Sequence, residues 1–452
     1  MMGWLLIGVA LVVGLALLLL RWRCPAWYWL AFGAIFATIR IRVRYAAVMD
    51  ACQLTVPASR LRLAVARWTK REIPRQRTPR LMRVTPMRTG VRLRIKMRPG
   101  QDAFEFAAAS DRLRHSFAVH QVTSRELKPG IVEMTMTGYD VLKRVRMPAR
   151  TKASTLKIPV ALREDGRAHF RDYREVPHSV TVGATQSGKS VYQRTVIKEL
   201  AAQPVALAGI DCKKGVELGP FARRFSALAD NPDDAADLLQ ALVARMEDTY
   251  DTIRRAQRIS ADVPDAEIAA NIWDLPKHLR PVPVVLTIDE IAELALSTRR
   301  NDPRRDRIIT ALVRLAQLGR AAGIFLDIYG QRFGSELGDG ITMLRAQLTG
   351  RTVHRVNDES TAKMAFGDIS PHAVFAATQI PNTRRGMAVV GYSTGEWIRI
   401  RGPHTTMRQA VNACNKHAHR TPDIPELARF KPVLAAAPAK APVTAESVTE
   451  AV

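Results

Sequence analysis

Ser179-Val-Thr-Val-Gly183-Ala184-Thr185-Gln186-Ser187-Gly188-Lys189-Ser190 is the stretch whose reading decides the fold. A short β-branched run leads into G-x-x-x-x-G-K-S, and Val191 to Ala202 follows with helical composition. This is a P-loop in the context it requires, with a strand before it and a helix after it. The glycines let the backbone wrap phosphate oxygens with its N–H groups, and the helix N-terminus adds a favourable field. Gly183, Ala184, Thr185, Gln186, Ser187, Gly188, Lys189 and Ser190 are therefore the expected ATP-binding residues. Lys189 would reach the β and γ phosphates, and the Ser190 hydroxyl would take a place on Mg²⁺. A chance match in a loop is the competing reading, and the flanking strand and helix argue against it.

About 100 residues further on, Pro283-Val-Val-Leu-Thr-Ile288-Asp289-Glu290 delivers two adjacent carboxylates at the end of an apolar strand. Ligands of open α/β sheets sit at that end. Asp289 is expected to hold the metal, and Glu290 to orient and deprotonate an attacking water. A third stretch places Gly319-Arg320-Ala-Ala-Gly323 before a strand and Gln331 after it. Gln331 could sense the γ-phosphate or the lytic water, or simply cap the strand. Arg320 could act as an arginine finger across a subunit boundary, or form an ordinary surface salt bridge.

The surrounding pattern is α/β. Val205–Ile210, Val282–Ile288 and Ile324–Ile328 read as buried strands. Asn231-Pro232 opens a helix whose apolar face is Ala235, Leu238, Leu239, Leu242, Val243 and Met246. Alternation of this kind implies a parallel sheet with helices on both faces. The motor so defined covers 151–412. A small α+β domain at 88–150 precedes it, with strands at 90–98, 117–122 and 131–137. Its helix, Gln101 to Ser116, is expected to place Phe104, Ala107, Ala108 and Leu113 on one side. The tail, 413–452, ends in an Ala/Pro-rich stretch read as disordered.

Lys and Arg number 68 against 42 Asp and Glu, a net charge of +26. Such a balance points to nucleic acid or an anionic membrane surface. Arg outnumbers Lys 53 to 15, as GC-rich coding also produces. The excess is uneven: residues 21–180 carry +21 and the 272 residues after them only +5. Residues 45–87 read as a basic, proline-broken juxtamembrane linker with a short helix around Arg60–Lys70. Four scattered cysteines argue against a zinc module or a disulfide framework.

Before that basic neck lies Gly3–Leu20, 18 uncharged apolar residues, long enough to span a bilayer core. No basic residue precedes the run and no small-residue cleavage site follows it, which argues against a signal peptide. A second run, Cys24–Ile39, carries Trp27, Tyr28 and Trp29 and reads as a second span or an interfacial segment. Arg40, Arg42 and Arg44 then place the remainder in the cytoplasm. Residues 1–44 are expected to be the membrane anchor, with one or two spans.

Four ordered segments carry a more specific likeness: PHSVTVGATQSGKS, IDCKKGVEL, VVLTIDEIAEL and LVRLAQLGRAAGIFLDIYGQR. They resemble, in this order, the signature segments of the FtsK/SpoIIIE family of DNA-pumping ATPases. The short membrane part looks most like the conjugative transfer proteins of actinobacterial plasmids and integrative elements. The resemblance implies a RecA-like P-loop NTPase and a homo-hexameric ring around double-stranded DNA. It matches Lys189 and Ser190 to the Walker A pair and Asp289 and Glu290 to the Walker B pair. Gln331 matches the sensor and Arg320 the trans finger. Asp211, Lys213 and Glu217 match a further family segment to which the sequence assigns no role. Gln186 departs from the family, which usually has glycine there, and no winged-helix domain follows the motor.

The expectation is an enzyme: a membrane-anchored ATPase with a cytoplasmic motor that moves double-stranded DNA between cells. Its partners would be DNA, the cell membrane and other transfer or membrane proteins. The alternatives are a chromosome-segregation translocase and a type IV coupling protein pumping single-stranded DNA. A non-enzymatic scaffold that only binds nucleotide is a third, against which Glu290 speaks.

Overall fold

The computed structural model describes residues 2–57, 68, 76–148, 154–257, 268–295, 302–334, 337–338, 340–367, 370–392 and 394–433. It divides into two units, 1–148 with 162–168, and 149–161 with 169–452.

In the first unit, helix α1 (Met2–Arg23) carries the first apolar run. Leu11, Val12, Leu15 and Leu18 on it are exposed. The side chains at 3, 5, 6, 9 and 10 lie outside the described residues. Among the described residues no helix is long and apolar enough to cross a membrane. The second run is helical too, through a short helix α2 (Pro25–Tyr28), a π-turn at Trp29–Gly33 and helix α3 (Ala34–Ala51). Helix α3 buries Ala37, Ile41, Tyr45, Val48 and Met49, the three-and-four spacing of one helix face. These pack into one core with Val91, Leu93, Ile95, Val132, Met134 and Met136 of the sheet. The aromatics expected together at an interface part company. Trp27 is exposed, whereas Trp29 is buried and donates its indole N–H to the Met87 carbonyl at 3.0 Å.

That sheet has four antiparallel strands in the order β1 (Arg80–Pro86), β2 (Gly90–Lys96), β4 (Ile131–Thr137), β3 (Gln121–Lys128). The stretch read as linker 45–87 thus contains the end of α3 and all of β1. The short helix expected around Arg60–Lys70 lies outside the described residues except for Trp68. The helix expected over 101–116 is two, α4 (Ala103–Ala108) and α5 (Ser110–Phe117). Its inward face is shifted: Phe106, Ala109, Leu113 and Phe117 are buried and Phe104 is 64% exposed. Phe117 therefore ends a helix rather than opening a strand. Ala118 takes a left-handed φ of 48°, and β3 begins only at Gln121.

The second unit is built on a ten-stranded sheet. Its strands are β5 (Lys157–Arg163), β6 (Ala168–Asp172), β7 (His178–Val182), β8 (Ala206–Ile210), β9 (Phe225–Ala229), β10 (Val284–Ile288), β11 (Ile324–Gly330), β12 (Gly350–His354), β13 (Met387–Gly391) and β14 (Trp397–Arg401). The spatial order is β9-β8-β10-β11-β7-β12-β13-β14-β5-β6. The six strands from β9 to β12 run parallel. β13 and β14 are antiparallel, so the sheet is mixed rather than wholly parallel. The parallel centre reads as continuous apolar runs because both faces are covered. Alternate residues go to two cores. Ala206, Ala208 and Ile210 join the layer containing helices α7 (Pro232–Ala256) and α9 (Pro303–Leu318). Leu207, Val285 and Phe325 meet helix α6 (Lys189–Ala201) and helix α13 (Met407–Lys416). Asn231 caps α7 as its sequence predicts, accepting from the Asp233 and Asp234 amides.

The ending read as tail from 413 is partly built into this unit: Ile424, Leu427 and Phe430 sit in the core of the α7 layer. Residues 434–452, most of the stretch read as disordered, lie outside the described residues.

One polar network is sealed into the sheet. Asp327 on β11 accepts from the Arg171 guanidinium at 2.9 Å, from Ser179 at 2.6 Å and from the Tyr173 hydroxyl. Neighbouring His178 is buried, and neither ring nitrogen has a hydrogen-bond partner. Burial, with Arg171 and Arg320 adding to it and Asp327 opposing, pushes its pKa down to about 3. The unfolded chain takes this proton near pH 6.5 and the folded one only near 3. His178 therefore costs nothing above pH 6.5 and lowers stability progressively as pH falls below it. His178→Phe removes the titrating group at similar shape. Thermal unfolding of the variant should show a smaller fall in Tm between pH 7 and pH 4.5 than the wild type, and equal slopes would refute the assignment.

Candidate active site

Strand register gathers the chemistry at one edge. Ile210, Ile288 and Ile328 align across β8, β10 and β11, and Gly330 aligns with Val182 of β7. The residues that follow these strands, Asp211, Asp289, Gln331 and Gly183, therefore emerge at the same carboxyl edge, where an open α/β sheet binds its ligand.

The loop from Gly183 to Gly188 is tight. A Cβ on Gly183 would lie 2.6 Å from Ser187 Oγ and 2.8 Å from His354 Cβ. Gly188 has φ of 107°, and a Cβ there would lie 2.4 Å from the Gly386 nitrogen. Gln186, at the loop tip, takes a left-handed φ of 61°. For a side-chain-bearing residue this costs roughly 1–2 kcal/mol, which gives the glycine usual in related loops a physical reason.

The loop is braced by residues the sequence reading did not single out. The Arg355 guanidinium donates to the Thr185 carbonyl at 3.0 Å, and Arg385 to Gln186 Oε1 at 3.3 Å. The Gly386 amide donates to the Ser187 carbonyl at 2.9 Å. His354, wholly buried beside Tyr192, has its pKa pushed down to about 4, chiefly by burial and further by Lys189. Arg355, Arg385 and Gly386 lie 165 or more residues from the loop, and no local pattern could have paired them with it.

The expected catalytic groups mostly meet. Lys189 Nζ donates to Glu290 Oε2 at 2.9 Å, and the Gln331 amide donates to Glu290 Oε1 at 3.1 Å. The Gln331 side chain lies 3.5 Å from the Thr185 hydroxyl. Asp289, 2% exposed, accepts from Lys213 Nζ at 2.8 Å. Burial lowers the Lys213 pKa, but the hydrogen bond to Asp289 and the fields of Asp289, Glu290 and Glu217 outweigh it, and the net direction is upward. Asp211 is fully buried and organises backbone, accepting from the amides of Lys213, Glu217 and Leu218 at 3.1, 2.8 and 2.9 Å. Ser190 lies in the first turn of α6. Arg320 is the exception: it precedes β11, whereas Gln331 follows it. Arg320 sits in the turn that leads into β11, and the seven residues of that strand span about 20 Å, so Arg320 is at the opposite edge from its own subunit's loop.

ATP and Mg²⁺ fit this donor set. The loop is packed so closely that a Cβ at Gly183 or Gly188 would collide with Ser187, His354 or the Gly386 backbone, and Ser187 Oγ is buried without a partner. Among the described residues no group of three or more His, Cys, Asp and Glu could hold a metal alone. Mg²⁺ takes one or two protein ligands and completes its shell with phosphates and water, and Asp289 and Ser190 would be those ligands. Gly188→Ala should weaken binding of a fluorescent ATP analogue at least tenfold while far-UV circular dichroism stays unchanged. Gln186→Gly relieves the backbone strain and gives up the long hydrogen bond from Arg385, and should bind within threefold of wild type.

Comparison with known proteins agrees with this geometry. The FtsK/SpoIIIE family profile matches residues 141–335, and that of the actinomycete conjugal transfer protein N-terminal domain matches residues 16–138. The chain is 68% identical over 401 residues to "Transfer protein TraSA" of Streptomyces ambofaciens, covering 88% of this chain and 97% of that protein. It is 52% identical over 278 residues to "Sporulation regulatory protein" of Streptomyces azureus, covering 61% of this chain and 87% of that one. The solved structure of the pCW3 conjugation coupling protein TcpA, in a monomer form with ATPγS, has the same fold. Its TM-score is 0.52 at 19% identity, over 75% of this chain and 93% of that one. With its P-loop, its paired carboxylates and these matches, the chain belongs to the FtsK/SpoIIIE family of ATPases, and carries in front of the motor the N-terminal domain of the actinomycete conjugal transfer proteins.

Proposed function

We propose that this protein is a membrane-anchored, ATP-driven pump that moves double-stranded DNA between cells, working as a ring of identical subunits with the motor in the cytoplasm. The observation that carries the motor reading is the convergence of Lys189, Glu290 and Gln331 at one sheet edge. Intercellular transfer is taken from the relative named Transfer protein TraSA. The anchor rests on the 18-residue apolar run and on the exposed apolar side chains of α1. The ring rests on Arg320, which is useful to a nucleotide only in a neighbouring subunit.

Hydrolysis follows from the pairings. Mg²⁺, held by Asp289 and Ser190, would neutralise charge on the phosphates. Lys189 leaves Glu290 for the phosphate oxygens, and Glu290 is then free to accept a proton from the attacking water. Gln331, fixed to Glu290 through its amide, orients that water. Arg320 of the adjacent subunit stabilises the charge that develops on the transferred phosphoryl group.

Single-stranded pumping is the rival reading. Coupling proteins of that kind carry a sizeable helical domain inserted within the motor. Between Ser190 and Asp289 the described residues form β8, β9 and α7, which belong to the sheet and its core. This supports the double-stranded reading.

Full-length protein in detergent or nanodiscs should hydrolyse ATP faster with duplex than with single-stranded DNA. Lys189→Ala should abolish turnover. Glu290→Gln should retain ATP binding but turn over at least a hundredfold more slowly. Arg320→Ala subunits mixed into wild-type rings should lower activity more steeply than dilution predicts. ATPase indifferent to DNA would overturn the proposal, and a double-strand-specific nuclease in recipient cells should block transfer.

A further inference from the structure

Asp289 and Glu290 are adjacent and almost wholly buried, at 2% and 8% exposure. Burying two neighbouring carboxylates is costly unless each is given a counter-charge. Each has one: Lys189 sits on Glu290 at 2.9 Å, and Lys213 on Asp289 at 2.8 Å. Nucleotide binding explains Lys189. It does not explain Lys213, which comes from the turn after β8.

That turn is built to deliver Lys213. The wholly buried Asp211 binds the amides of Lys213, Glu217 and Leu218, and Lys214 and Gly215 take left-handed φ values of 58° and 71°. The backbone is fixed while the side chain keeps a way out. Lys213 is 42% exposed, against 11% for Lys189. A flexible four-carbon stem reaching solvent can leave its partner without stranding a buried charge. Glu217 stands in the same turn as an alternative carboxylate, shared there with Arg194 at 3.3 Å.

We propose that Lys213 is the resident counter-ion of Asp289: it occupies the metal's carboxylate while the site is empty, keeps free divalent cations out, and is displaced when a cation arrives with nucleotide. An ammonium and a divalent cation repel strongly at the same carboxylate oxygen. A free cation must evict Lys213 and shed water for one carboxylate, whereas a cation brought by a nucleotide has phosphates to hold it as well. The turn 211–218 thereby changes partner with occupancy. This rests on the ATPase reading of the same site.

The test uses full-length protein in detergent, without nucleotide, and Mn²⁺ followed by electron paramagnetic resonance. Wild type and Lys213→Arg should leave Mn²⁺ free. Lys213→Met should bind about one Mn²⁺ per chain at least tenfold more tightly, and Asp289→Asn added to it should abolish that gain. Equal affinity in wild type and Lys213→Met, or a gain that survives Asp289→Asn, would overturn the proposal. If Lys213→Met does not fold, amine-reactive footprinting of the wild type decides. Lys213 should become several-fold more reactive when Mg²⁺ and a non-hydrolysable ATP analogue are added, and unchanged reactivity refutes displacement. Should the analogue fail to raise the Tm, the ATPase reading fails, and the nucleotide-free Mn²⁺ titration still decides the role of Lys213.

Discussion

Everything in the motor depends on the shared register of four parallel strands. Because β8 and β10 end together and β11 and β7 end together two residues further on, four loops far apart in sequence open at one edge. A parallel ladder of this kind is stable only with both faces covered. The helices that cover it, α6 and α13 on one side and α7 and α9 on the other, are therefore also what hold the site in place. The sealed Arg171–Asp327–Ser179 network ties β6, β11 and β7 together across the same centre. In such a buried place a hydrogen-bonded ion pair resists sliding of one strand past another, since a slip would strand its charges.

The buried charges of the site are paired. Two buried carboxylates face two lysines, one from the P-loop and one from the turn after β8. In the proposed mechanism nucleotide binding is an exchange of partners rather than the creation of new buried charge: Lys189 would trade a carboxylate for phosphate, and Asp289 an ammonium for a metal. The P-loop itself is not self-supporting. Its strained tip at Gln186 is held by Arg355 and Arg385, so the loops after β12 and before β13 contribute to the shape of a site whose signature lies 165 or more residues earlier.

The first unit shows the same dependence on packing. A stretch that its charge and prolines marked as linker supplies an edge strand, β1. The apolar run 24–39 sends Trp29, Ala34 and Ala37 into the core, which Ile41, Tyr45, Val48 and Met49 beyond it complete, while its Trp27, Leu30, Phe32, Ile35, Phe36 and Ile39 stay exposed. Local composition misled in the first place only. An Arg-rich strand at a sheet edge keeps its charges in water, and an apolar helix face can be buried by protein as readily as by lipid. Phe104 and Phe106 differ by two positions, and only packing of α4 over β3 into the core chose which turned inward.

The sequence alone determined the chemistry and the fold class. G-x-x-x-x-G-K-S after a strand, two acids ending another, and a glutamine ending a third name an ATPase of α/β type, because spacing and residue type carry those constraints locally. It also located α7, α6 and the parallel core, whose periodicity and caps are local too. Tertiary structure decided what no short window contains: the antiparallel β13 and β14, the bracing of the P-loop by Arg355, Arg385 and Gly386, and the distance of Arg320 from its own site. It also decided the pairing of Lys213 with Asp289. These follow from strand order and from the need to neutralise buried charge, and both are properties of residues brought together only when the chain is folded.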